Sequence, residues 1–230
     1  MLERLFGLDY LRKRLLRKAP AGPLRAYLEH PFPARKTDYR QVEYVAIDLE
    51  TTGLDPRVGH ILSVGLVLLR GDRIDLSSAE HILLRTSREI PEESAVIHQI
   101  TDDQAAEGHG IGAVMPHLLE LLAGRVMIAH HARIESGFLS NACEGLYGMK
   151  LPIPTVDTQA VALRWFQQRD RQVAAKELRL HTLRERYNLP RYPAHNALSD
   201  ALAAAELFLA QVAHRAHGKG MPLRELLFQP

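Results

Sequence analysis

The sequence predicts an α/β fold, a mixed sheet built from an antiparallel three-strand meander plus parallel strands and covered by helices. Two observations carry that expectation. First, VEYVAIDLE, HILSVGLVLLR and a stretch ending in HILLR at residues 81–85 follow one another from Val42, with a turn-like Arg70-Gly71-Asp72-Arg73 before the last. Second, after residue 90 helical periods alternate with short apolar runs. These read as a helix over 113–123, a strand RVMIAH at 125–130 and a helix over 134–146. A short strand near Val156 and helices over 158–168, 176–188 and 197–215 complete the set.

A chain of 230 residues that is 46% hydrophobic and 24% charged suits one large globular domain with attachments. No apolar run approaches the ~20 residues that span a bilayer, and the amino terminus mixes charges into its leucines, so neither a membrane span nor a signal peptide is expected and the cytoplasm is the simplest address. The single cysteine, Cys143, excludes an internal disulfide and a cysteine zinc site. Charge is uneven: residues 1–40 hold ten basic and four acidic side chains, the remainder nineteen and twenty-three. A division near residue 40 follows, giving a basic amino-terminal segment with a proline-rich connector (1–40), a main domain (41–216) and a tail (217–230). Residues 1–18 space their leucines as an amphipathic helix, which Pro20, Gly22, Pro23, Pro31 and Pro33 bring to an end. Docking on a partner or on phosphates is one use for it; packing on the main domain with its arginines in solvent is the other.

The chemistry concentrates in three stretches. In AIDLETTG (46–53), Asp48 and Glu50 point to one side of a strand while Ile47 and Leu49 point to the other. Two carboxylates on one face suit a hard divalent cation such as Mg²⁺ or Mn²⁺, or equally a solvated sheet edge. Thr51, Thr52 and Gly53, with Leu54 next in the loop, offer N–H groups and hydroxyls where a phosphate or terminal nucleotide would be gripped. In HNALSDA (195–201), His195 and Asp200 would lie about 140° apart on a continuous helix. If Asn196 caps the helix, the His195 imidazole can instead swing back toward Asp200. In IAHHARIESGFL (128–139), Glu135 falls near a helix start, where the dipole favours an acid with or without a metal. His130 and His131 close the preceding strand and, being adjacent, face opposite ways.

DLETTG, AHHARIESGFL and HNALSDA, in this order, resemble the three motifs of the DEDDh family of 3′-to-5′ exonucleases, which includes the proofreading epsilon subunits of bacterial DNA polymerase III. The resemblance covers roughly residues 42–213, because IPEESAVIHQITDD (90–103) and IPTVDTQAVA (153–162) are also similar to family segments. It implies a ribonuclease-H-like fold, two divalent cations (Mg²⁺ or Mn²⁺), and hydrolysis of single-stranded DNA or RNA from the 3′ end to nucleoside monophosphates. Residue by residue it implies Asp48, Glu50, Glu135 and Asp200 as metal ligands and His195 as general base, an imidazole being suited to take a proton near neutrality. It also implies His98 and His131 near the substrate terminus, beside Thr51, Thr52, Gly53 and Leu54. Where the family reads His-Asn-Ala-x-Phe-Asp, this chain reads His130-His131-Ala132-Arg133-Ile134-Glu135, so a shifted metal site is expected. DNA is the favoured substrate. The alternatives are an RNA exonuclease, a nucleic-acid-binding module whose metal site no longer turns over, and an interaction protein that docks a DNA polymerase or another protein through residues 1–40.

Overall fold

The computed structural model describes residues 7–86, 98, 100–193, 195–216 and 218–228. Its centre is a five-stranded sheet in the order β3-β2-β1-β4-β5. Strands β1 (Glu43–Thr51), β2 (Ile61–Arg70) and β3 (Arg73–Leu83) form the expected antiparallel meander. Strands β4 (Val126–Ala129) and β5 (Thr155–Asp157) add in parallel on the other side of β1. Helices α1 (Leu8–Leu16), α2 (Pro23–Glu29), α3 (Asp102–Glu107), α4 (Ile111–Leu122), α5 (Arg133–Tyr147), α6 (Thr158–Gln167), α7 (Leu180–Arg186) and α8 (Ala197–Ala216) complete the α/β architecture. Among the described residues no helix is long and apolar enough to cross a membrane.

The two-residue period of β1 separates two cores. Val45, Ile47 and Leu49 pack with Met115, Leu118 and Leu139 of α4 and α5, while Tyr44 and Ala46 pack with Phe208 and Val212 of α8. Asp48 and Glu50 continue the second row, so they emerge on the face that α8 covers. Contact between α8 and the sheet depends on Gly65, which pairs with Asp48 across β1 and β2. A Cβ there would stand 2.0 Å from the Ala197 carbonyl carbon, so only glycine lets the start of α8 come this close.

Two elements depart from the sequence reading. The helix expected over 176–188 is a 3₁₀ turn (Ala175–Leu178) followed by α7, because the Leu178 carbonyl accepts from His130 Nε2 at 3.0 Å and from Gln159 Nε2 at 3.4 Å. The proline-rich connector contains α2, started by Pro23 in the first turn, a position where its fixed φ is favourable and its missing N–H costs nothing. Leu24, Tyr27 and Leu28 of α2 are buried in the core with α4 and α5, and the Tyr27 hydroxyl donates to the Pro152 carbonyl at 2.6 Å. At the other end Met221, Leu223 and Leu226 are buried with α8 and Val156.

Candidate metal centre and active site

Strand β1 ends at the site, and its alternation places two carboxylates there. Asp48, Glu50 and Asp200 each offer an oxygen, and the three oxygens lie within 4.8 Å of one another. Asp200 arrives from the first turn of α8. Asn196 caps that helix, its side-chain oxygen accepting from Ser199 N at 3.1 Å. His195, just ahead, adopts a left-handed φ of 66° and its backbone N–H donates to Asp200 Oδ2 at 2.8 Å. Thus the link between these residues runs through the His195 main chain, whereas the sequence suggested the imidazole; the ring remains close enough that its charge lowers the Asp200 pKa.

Three like charges this close resist ionisation. Burial first, and then repulsion from Glu135, Asp200 and Glu50, push the Asp48 pKa well above the usual carboxylate range. Glu50 is pushed up to about 7 by burial and by Asp200. Asp200 is raised by burial and partly restored by the His195 N–H. A carboxylate group held against its own repulsion, with no lysine or arginine among the described residues ion-paired to any of the three, has the donor chemistry for a divalent cation.

Glu135 is 3% exposed and stands outside that trio. Its carboxylate turns back onto its own backbone N–H, Oε2 is buried with no hydrogen-bond partner among the described residues, and burial raises its pKa to about 8. Glu135 lies within electrostatic reach of Asp48, and its buried carboxylate oxygen, without a hydrogen-bond partner among the described residues, is chemically suited to bind a cation. The residues present therefore fit the expected metals.

The remaining candidates divide. His98 is 7% exposed; Nδ1 accepts from Ile100 N at 3.1 Å, so Nε2 carries the proton and is buried without a partner among the described residues. Burial and the nearby His195 ring lower its pKa. The Thr51 hydroxyl donates to Gly53 O at 2.8 Å and Thr52 Oγ1 accepts from His60 N at 2.9 Å, so both shape the loop after β1. Leu54, 77% exposed, stands out from that loop. His130 is a framework residue: it is held neutral, its pKa pushed down to about 4 by burial, between Thr158 Oγ1 and the Leu178 carbonyl. His131 has a left-handed φ of 68°.

The sequence reading missed Asp157. Its Oδ1 accepts from His131 N, Gln159 N and Ala160 N at 3.1, 2.9 and 3.2 Å, and Oδ2 from Ala132 N at 3.2 Å. One buried carboxylate thereby caps α6 and clamps the turn from which α5 and Glu135 spring. An aspartate just before a helical period is a cap signal, but its second role is long-range.

Comparison with known proteins shows the family. The exonuclease family model matches residues 45–208, a span that includes Asp48, Glu50, Glu135, His195 and Asp200. The chain is 32% identical over 166 residues to the PolC-type DNA polymerase III of Thermotoga maritima, covering 72% of this chain and 12% of that protein. It is 29% identical over 182 residues to the DNA polymerase III subunit epsilon of Treponema pallidum, covering 79% of this chain and 82% of that one. The chain thus spans about an eighth of the PolC-type relatives and most of the epsilon subunit. Among solved structures, the nuclease domain of 3'hExo, a DEDDh family member bound to rAMP, superposes with a TM-score of 0.66 at 16% identity, covering 84% of this chain and 99% of that one. Exonuclease X in complex with 5′ overhanging duplex DNA superposes with a TM-score of 0.59 at 23% identity, covering 74% and 92%. The fold is the ribonuclease-H-like one that these nucleases share, and with the family model matching 45–208 the chain belongs to the exonuclease family.

Proposed function

We propose that this protein is a metal-dependent 3′-to-5′ exonuclease that hydrolyses phosphodiester bonds at the 3′ end of single-stranded nucleic acid, DNA before RNA, releasing nucleoside monophosphates. The observation that carries this reading is the Asp48, Glu50 and Asp200 cluster within 4.8 Å at the end of β1. Those three would hold two divalent cations, Mg²⁺ or Mn²⁺, and Glu135 would join them by turning its free Oε2 outward. When bound, the cations supply charge neutralisation and polarise the attacking water and the leaving oxygen of an in-line displacement.

The chain's own groups supply the rest. The His195 ring, beside Asp200 and outside the buried core, takes the proton of the attacking water. His98 Nε2–H, without a partner among the described residues, donates to the terminal nucleotide, and exposed Leu54 offers its sugar or base an apolar wall. Thr51, Thr52 and Gly53 hold the loop, and exposed His131 is a further contact for the terminal nucleotide. Preference for DNA is supported by the polymerase subunits among the relatives and by a solved neighbour in complex with DNA; the neighbour bound to rAMP favours RNA as the second substrate. Exposed Lys13, Arg14, Arg17 and Lys18 on α1 and after it are the surface through which a polymerase or other partner would dock.

The test is a 5′-labelled single strand, as DNA and as RNA, incubated with Mg²⁺ or Mn²⁺. The expected result is a ladder shortening from the 3′ end, absent with Asp48→Ala, and with His195→Ala slowed by about 10²–10⁴-fold. Intact strands in every wild-type lane, or cleavage that survives Asp48→Ala, would remove the proposal.

A further inference from the structure

Residues 168–191 carry seven basic side chains against three acidic ones, whereas the rest of 41–230 carries twelve against twenty. This segment is anchored through its middle to elements that build the site. The Leu178 carbonyl is held by His130 at the close of β4. Six residues on, buried Arg184 donates to the Ala203 carbonyl at 2.8 Å and to Glu206 Oε2 at 2.7 Å on α8, the helix that carries Asp200. The middle of the segment is therefore held between the strand end that leads into the Glu135 helix and the helix that carries Asp200.

Its outer surface is cationic and interleaved with an aromatic ring. Arg171 and Arg186 both donate to Glu177 Oε2, at 3.2 and 2.5 Å, and both guanidinium groups lie over Phe166, at 5.2 and 4.9 Å from the ring centre. Two guanidinium groups sharing one carboxylate leave a fixed positive charge with N–H groups to spare. Lys176 and Arg179 are exposed and have no ion-pair partner among the described residues.

We propose that this surface is the track that holds the phosphate backbone of the strand upstream of the scissile bond, with Lys176 and Arg179 as direct phosphate contacts; this rests on the exonuclease reading above. An acidic centre repels a polyanion, and a cationic surface with arginine–aromatic pairs on its border is the arrangement that grips single strands without reading sequence. The longer grip on substrate then belongs to the main domain.

The experiment is a salt titration of binding to a 5′-labelled 12-mer of deoxythymidine, in Ca²⁺ with strand integrity checked on a gel, using the full chain. For Lys176→Ala/Arg179→Ala the expected result is at least tenfold weaker binding at low salt. The slope of log affinity against log salt should become shallower by about 1.4, the value for two lost single-strand phosphate contacts. The loss should be far smaller for a dinucleotide. Arg70→Ala/Arg73→Ala removes two charges at the opposite end of the sheet and should leave the slope unchanged. An unchanged slope in the Lys176/Arg179 variant, an equal change in the Arg70/Arg73 control, or no wild-type binding overturns the track. A shallower slope in the Lys176/Arg179 variant of a wild type that cuts no strand upholds the track and removes the exonuclease reading alone.

Discussion

At the residue scale, the carboxylate cluster makes opposite demands on stability and activity. Glu50 near 7 and Glu135 near 8 both hold protons in the folded, metal-free protein that the unfolded chain has released. Their raised values mean that the stability of this state falls as pH rises through these pKa values. His130, depressed to about 4, works the other way but is complete by about pH 6.5, where the unfolded histidine is itself neutral. The metal-free protein should therefore lose melting temperature between pH 6.5 and 8.5, and saturating Mn²⁺ should remove that slope. Asp48→Asn should raise the metal-free melting temperature at pH 8 by a few degrees while abolishing hydrolysis. A flat metal-free profile by calorimetry would contradict the assignment of these shifts. The pairing of Asp48 with Glu50 was legible in the sequence because a strand's period is local. The left-handed turn at His195, which gives Asp200 a main-chain N–H instead of an imidazole, was not, since nothing in the residue type specifies it.

At the element scale, the site depends on how closely α8 meets the sheet. Gly65→Ala would drive a methyl group into the Ala197 main chain, so a cost of about 1–3 kcal/mol in urea unfolding is expected, with weaker Mn²⁺ binding because Asp200 moves away from Asp48. Unchanged affinity together with unchanged stability would show that α8 tolerates displacement. Helices and strands with a clear period were recovered from the sequence to within a few residues. The elements that departed are those governed by distant partners. His130 takes the carbonyl that a continuous helix through Leu178 needed, and Asp157 joins a helix cap to a turn twenty-six residues earlier. Helix α2 lies within the proline-rich stretch because Pro23 falls in a first turn, where proline is tolerated.

At the scale of the whole molecule, the sheet and α8 gather residues 48, 50 and 200, with Glu135 in electrostatic reach, and the ordered motifs pointed to these residues from the sequence. The charge boundary near residue 40 is not a packing boundary, since Leu24, Tyr27 and Leu28 belong to the main core. Deleting residues 1–29 should cost roughly 1.5–3 kcal/mol for each of these side chains and lower the melting temperature sharply. Charge reversal at Arg14 and Arg17, which are exposed, is the cleaner probe of docking and should leave the melting temperature unchanged. The central claim is that the acidic cluster is a divalent-metal centre for strand hydrolysis. Titrating Mn²⁺ into the metal-free protein, with bound metal and 3′-end cleavage followed in the same sample, tests it most directly. Cleavage should rise in step with occupancy in the wild type, and both should be lost in Asp48→Ala. Full occupancy of the wild type without cleavage would contradict it.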